Sequence, residues 1–282
     1  MVEHHLAKVR VAGSNPVVRS IFRLHRFRFY LTAVSAVCLV SCGGAGGKSQ
    51  MITVAAASDL RPAFNEIAIQ FTKQTNIKVE FSFGSSGQLR EQIINGAPFD
   101  VFASANSAYV DDVIKSGPGD ITTRSVYAIG RLAVVTSNNL TLPSTLFDLQ
   151  EARFRRIAIA NPQHAPYGLA AQQTLRSLEI ANVLENRLIF GENISDTLRI
   201  VQSDNADAAL VALSLVIGGE SKYLLVPANL HLPINQTLVV TAPTKTKDAA
   251  IQFADFIKSP TGLAIMSRYG FEQPEIASTV AP

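Results

Sequence analysis

The chain has 282 residues, of which 47% are hydrophobic and 17% charged, and its formal net charge is +3. That composition excludes a disordered or fibrous chain and leaves length for two compact lobes or one large α/β domain. A positive balance so small, much of it held in residues 19–28 ahead of the body, gives no case for nucleic acid, which would want a concentrated basic face.

Arg23, Arg26 and Arg28 precede an uncharged apolar run, residues 29–40, that ends in LVSC at residues 39–42. A positive flank, a short apolar core and small residues at a cut are the order of a secretory leader. The run is about a dozen residues, short of the roughly 20 that a spanning helix needs. The glycine-rich residues 43–47 would make a poor continuation of a buried helix. The LVSC run resembles the lipobox of bacterial lipoproteins. That likeness implies a leader over 1–41, Cys42 as the lipid-modified first residue, and a tether over 42–50. The protein is then expected to be periplasmic or extracytoplasmic, attached to a membrane surface by its lipid anchor. Cys38, the only other cysteine, goes with the leader, so no internal disulfide, cysteine metal site or cysteine nucleophile is expected in the body.

From Met51 the hydrophobic pattern alternates between strand and helix. Residues 52–56 are β-prone, and Phe64, Ile67, Ala68 and Phe71 then share one face of a helix over 62–75. Ile77, Val79, Phe81 and Phe83 alternate with Lys78, Glu80 and Ser82, the period of a strand. A short helix carrying Leu89 and Ile93 stops at Gly96, and strands follow at 101–103 and 132–136. The second half reads as strand 157–160, helix 169–178, strand 188–190, helix 194–202, and extended runs at 208–213, 223–226 and 238–241. Helices over 246–258 and 262–268 close the series. Strands separated by such helices imply parallel sheets covered on both faces, with binding crevices beyond the carboxyl ends of the strands.

Four junctions of this kind carry donors for an anion. In AAASDL, residues 55–60, Ser58 offers a hydroxyl where first-turn N–H groups stay unpaired; plain helix capping by Ser58 or Asp59 is the competing reading. FGSSGQL, residues 83–89, repeats the event with Ser85 and Ser86, and Gly84 and Gly87 let backbone N–H groups converge. NPQHAPYGLAA, residues 161–171, places Tyr167 and Gly168 where first-turn amides are free, and GENISDTL, residues 191–198, repeats the placement. His164 has no obvious Ser, Cys or carboxylate partner, so the pattern gives little support for catalysis. GxxxxGK[ST] and HExxH do not occur, and no GxGxxG follows the first strand. A cavity of neutral donors alone suits a fully deprotonated tetrahedral ion, whereas hydrogen phosphate also wants an acceptor for its proton.

The runs ITVAAASDL, FGSSGQL, EQIINGAPFDVFASAN, IANPQHAPYGLAA, GENI, DAALVAL and SPTGLAIMSRYGF follow one another in this order. With them the chain resembles the periplasmic molybdate-binding proteins of bacterial ABC transporters over nearly all of residues 52–271. The resemblance implies a two-lobed α/β periplasmic-binding-protein fold, with mostly parallel sheets flanked by helices and a hinge between the lobes. Lobe 1 would combine 51–127 with 236–282, and lobe 2 would run over 128–235. It also implies oxyanion binding through the hydroxyl and amide of Ser58 and of Ser86 and the amides of Tyr167 and Ile194. A tyrosine that some members carry near a later strand is replaced here by Ala212, and the Tyr167 hydroxyl is a candidate substitute. Asp59, beside Ser58, is expected to turn away from the ligand, most simply onto backbone amides. The implied role is a monomeric substrate-binding lipoprotein that captures molybdate or tungstate and delivers it to an ABC transporter permease. It would have no enzyme activity, no cofactor and no directly coordinated metal cation. Alternatives are a binder of another oxyanion such as sulfate or phosphate, an anchored hydrolase using Ser58 or Ser86 with His164 as base, and a sensor that signals by closure.

Overall fold

The computed structural model describes residues 50–219 and 222–274. The expected leader, Cys42 and the tether up to residue 49 lie outside the described residues. In chain order the elements are β1 (Met51–Ala57), α1 (Arg61–Thr75), β2 (Lys78–Gly84), α2 (Ser86–Ile94), β3 (Val101–Ser104), α3 (Ser107–Lys115), β4 (Ser125–Gly130) and β5 (Leu132–Thr136). There follow β6 (Ile157–Ala160), α4 (Pro166–Ser177), α5 (Ala181–Leu184), β7 (Leu188–Gly191), α6 (Ile194–Gln202), β8 (Ala208–Ala212), β9 (Leu224–Leu225), β10 (Ile234–Val240), α7 (Lys247–Lys258) and α8 (Pro260–Arg268). No helix among the described residues is long and apolar enough to cross a membrane.

The strands form two five-stranded sheets, ordered β2-β1-β3-β10-β4 and β7-β6-β8-β5-β9. The expected parallel core is present in each: β1 lies parallel to β2 and β3, and β6 parallel to β7 and β8. The added strands β10, β4, β5 and β9 pair antiparallel. The first crossing needs only Arg131, between β4 and β5, and β10 brings the chain back beside β4, with Ile234 opposite Gly130.

Helices cover both faces. Phe64 and Phe71 of α1 meet Phe253 of α7 edge-on, with ring centroids 6.1 and 5.2 Å apart, and burying such a ring stabilises the fold by about 1.5–3 kcal/mol. On the opposite face Leu89 and Ile93 of α2 and Val110 and Val113 of α3 pack with Phe102 of β3. In the second sheet α6 buries Val201 against Ala158, Ala209 and Val211. α1 ends where Asn76 turns left-handed, at φ 60°, a conformation that asparagine tolerates better than most side chains. The parallel strands β1, β2, β6 and β7 all end where a helix or turn begins, and those ends build the site.

Candidate functional site

β1 runs into a single turn of 3-10 helix, Ser58–Leu60. Ser58 is buried, and its hydroxyl lies 3.2 Å from Asn193 Oδ1, which precedes α6 beyond the second sheet. Ser195 answers from α6, its hydroxyl donating to the Ser58 carbonyl at 3.1 Å. β2 runs into α2, whose first residue is Ser86. The Ser86 hydroxyl oxygen accepts the Ala105 N–H at 3.1 Å, which leaves its own proton to donate elsewhere. Pro166 and Tyr167 open α4, where an N–H has no intrahelical acceptor.

The start of α6 assigns its donors sharply. Asn193 Oδ1 accepts the N–H groups of Ser195 and Asp196, both at 3.0 Å, and the Asn193 carbonyl takes that of Thr197. Of the first-turn amides only that of Ile194 remains without a protein acceptor. The cap thus leaves a single first-turn amide open, a role for Asn193 that the sequence reading missed. An Asn directly before a helical run is a recognised capping signal, so the information was present locally.

These junctions meet. Ser58, Ser86, Tyr167 and Ile194, with Ala57, Asp59, Gly84, Ser85, Ala105, Ala165 and Pro166, line one cavity of about 10 Å³. Such a space suits one compact ion or a water rather than an organic solute. No lysine or arginine is in its wall, so a bound anion would be held by hydroxyls, amides and helix N-termini. Ala212 ends β8 away from this wall.

The sheets approach each other through further contacts around the cavity. The Gly87 N–H donates to the His164 carbonyl at 2.9 Å, and a Cβ on Gly87 would lie 2.7 Å from that oxygen, so glycine is required for the approach. The Ser85 hydroxyl donates to the same carbonyl at 2.5 Å and sits 2.8 Å from His164 Nδ1. With its one proton given to the carbonyl, Ser85 accepts from Nδ1–H, a tautomer assigned from the network. His164 therefore pairs with Ser85, and with neither Ser58 nor Ser86, and its nearer nitrogen is a donor rather than a base. Among the described residues no group of three or more His, Cys, Asp and Glu side chains could hold a metal ion.

Asp59 departs from its expected partners. Its Oδ2 accepts the side-chain amide of Gln236 at 2.7 Å, and its carbonyl accepts the Ser214 hydroxyl at 2.7 Å. Burial raises its pKa to about 7, against the weaker lowering effects of the Tyr167 hydroxyl, its own backbone and Gln236. The Tyr167 hydroxyl lies against Gly130, where an added Cβ would lie 2.1 Å from the oxygen. Burial, followed by the charge of Asp59, pushes the phenols of Tyr127 and Tyr167 well above their ordinary values. Neither hydroxyl has a hydrogen bond of good geometry.

The model of the bacterial extracellular solute-binding protein family matches residues 52–272. The chain belongs to that family. As a solute-binding protein it is 33% identical over 244 residues to the molybdate-binding protein ModA of Rhodobacter capsulatus, covering 85% of this chain and 94% of that one. Identity to the molybdate-binding protein ModA of Azotobacter vinelandii is 33% over 238 residues, or 83% of this chain and 93% of the other. The solved periplasmic molybdate-binding protein of Azotobacter vinelandii superposes with a TM-score of 0.75 at 34% identity, covering 79% of this chain and all of that one. The family is one of binding proteins rather than enzymes, and the two-lobed α/β fold is that of its members.

Proposed function

We propose that this chain is the substrate-binding lipoprotein of an ABC transporter, capturing molybdate or tungstate at the cradle of Ser58, Ser86, Tyr167 and Ile194. The observation that carries the reading is a small cavity that gathers Ser58, Ser86, Tyr167 and Ile194 and is free of lysine and arginine. Neutral donors surround a dianion without the desolvation cost of enclosing a cationic side chain. Relatives named for molybdate over most of their length support the choice of cargo. Lobes of 51–127 with 236–282 and of 128–235 would hinge about β4 and β10 and present the closed form to a permease. Cys42 would hold the protein, as a monomer, to the outer face of the membrane.

Asp59 in the cavity wall favours one second reading, an oxyanion that still carries a proton, such as hydrogen phosphate, for which the carboxylate would be the acceptor. The capture reading is tested in cells grown on molybdate, by assaying molybdenum and this chain together in membrane and soluble fractions. Wild-type protein is expected in the membrane fraction with one molybdenum per chain, and Cys42→Ala in the soluble fraction with the same content. Purified chain without molybdenum would refute the cargo, and membrane retention of Cys42→Ala would refute the anchor.

A further inference from the structure

Asp59 occupies an unusual place. It is 1% exposed, in the turn that also supplies Ser58, and it lies between the cavity and the two strands that link the sheets. Its surroundings come from both halves of the molecule: Tyr127 of β4 and Gln236 of β10 from the first sheet, Tyr167 of α4 and Ser214 after β8 from the second. Four polar atoms here are buried without a hydrogen-bond partner, namely Asp59 Oδ1, Gln236 Oε1 and the hydroxyls of Tyr127 and Tyr167. Buried polar atoms are rarely left unpaired, and a cluster of them calls for an explanation.

Among the described residues no cation supplies one. The charged groups on the helices packed against the turn are engaged elsewhere: Arg61 of α1 stacks on Phe83, Glu66 of α1 pairs with Arg268, and Arg199 of α6 pairs with Asp196. Beside the Asp59 carboxylate stand the Gln236 amide, which donates to Oδ2, and the Tyr167 phenol, and together they offset its burial only in part. An ionised carboxylate enclosed in this way is costly. A dianion enclosed beside it adds like charge, which favours the neutral acid further.

We propose that Asp59 is a positioning residue that makes capture proton-linked: its carboxylate takes up one proton as the lobes close on the anion and releases it as they open. The inference rests on the capture reading above, because it needs a dianionic cargo. Opening withdraws Tyr167 and Ser214 and returns the carboxylate to water, where it ionises. Closing forms one O–H bond on Asp59 with a proton drawn from solvent. The enclosed charge is then that of the dianion alone. Bound anion and stored proton leave together when the lobes part.

The direction of the pH dependence follows. A carboxyl at about 7 when enclosed and near its ordinary value in water is protonated only in the closed form across mildly acid pH, so affinity weakens as pH rises towards 7 and levels off above the enclosed value. Full chain in non-ionic detergent is titrated calorimetrically with sodium molybdate at pH 6 in MES and in bis-Tris, whose ionisation enthalpies differ. With the enclosed carboxyl at about 7, the difference in apparent heat should correspond to about 0.9 proton taken up per molybdate, and Kd should rise roughly tenfold between pH 6 and pH 8. Asp59→Asn, which fixes the uncharged form, should bind molybdate with no proton uptake and a flat pH profile. Wild-type binding with equal heats in the two buffers would overturn the inference while leaving the capture reading intact. Undiminished proton uptake by Asp59→Asn would overturn it as well, by placing the proton on another group. No binding of molybdate in either buffer would remove the capture reading and this inference together.

Discussion

Replacing Ser86 by alanine removes a hydroxyl whose oxygen already accepts the Ala105 amide, so on the proposed reading the group lost is a donor to the anion. A hydrogen bond to a charged group contributes about 2 kcal/mol, and Ser86→Ala should bind molybdate roughly 30-fold more weakly. Equilibrium dialysis checks the value, and unchanged affinity would show that the hydroxyl does not reach the anion. That Ser58, Ser86, Tyr167 and Ile194 each follow a strand and open a turn or helix was legible in the sequence, and the structure brings all four to one cavity. The partner of Asp59 was not legible. Gln236 lies 177 positions away, and nothing near Asp59 distinguishes a carboxylate that caps its own backbone from one that crosses to another strand. The same holds for the Ser85 and His164 pair, 79 positions apart, which only the approach of the two sheets creates.

Helix α2 meets the loop before α4 through Gly87, and on the proposed hinge this contact forms as the lobes close. Alanine at Gly87 improves helix propensity by about 0.5–1 kcal/mol, so the melting temperature of the ligand-free chain should hold or rise slightly. Its Cβ would meet the His164 carbonyl at 2.7 Å, and overpacking of that kind costs about 1–3 kcal/mol, so molybdate affinity should fall by roughly tenfold. Thermal unfolding with and without molybdate separates the two effects, and a Gly87→Ala chain that keeps its affinity would contradict the closure contact. At this scale the elements with strong period were read closely: β6 and α6 have the bounds that their hydrophobic pattern predicts. β10 was expected from residue 238 and begins at Ile234, because Gln236 and Thr237 are fully buried yet polar and break the alternation that marks a strand. β4, its neighbour at the crossing, and α3, whose start rests on the Asn106 cap, were not assigned at all. The elements hardest to read are thus largely those that link the sheets, where polar contacts replace hydrophobic burial.

Across the described residues, each sheet has a first parallel strand flanked by the second and third parallel strands, then one antiparallel strand beside the third and another beyond it. This repeated order turns the helix starts of the two sheets towards a common cleft, which is why donors far apart in sequence converge on a cavity of about 10 Å³. Alternating strands and helices gave the fold class from periodicity alone, but the division into two sheets did not follow from it, since a single larger sheet has the same local pattern. The central claim is that the convergent donors select a fully deprotonated tetrahedral dianion. Calorimetric titration of the full chain in detergent at pH 7 with molybdate, tungstate, sulfate and phosphate tests it most directly. The account predicts one-to-one binding of molybdate and tungstate more negative than about −8.2 kcal/mol, a submicromolar Kd, with sulfate and phosphate at least roughly 100-fold weaker; tighter binding of sulfate or phosphate, or no binding of any of the four, would contradict it.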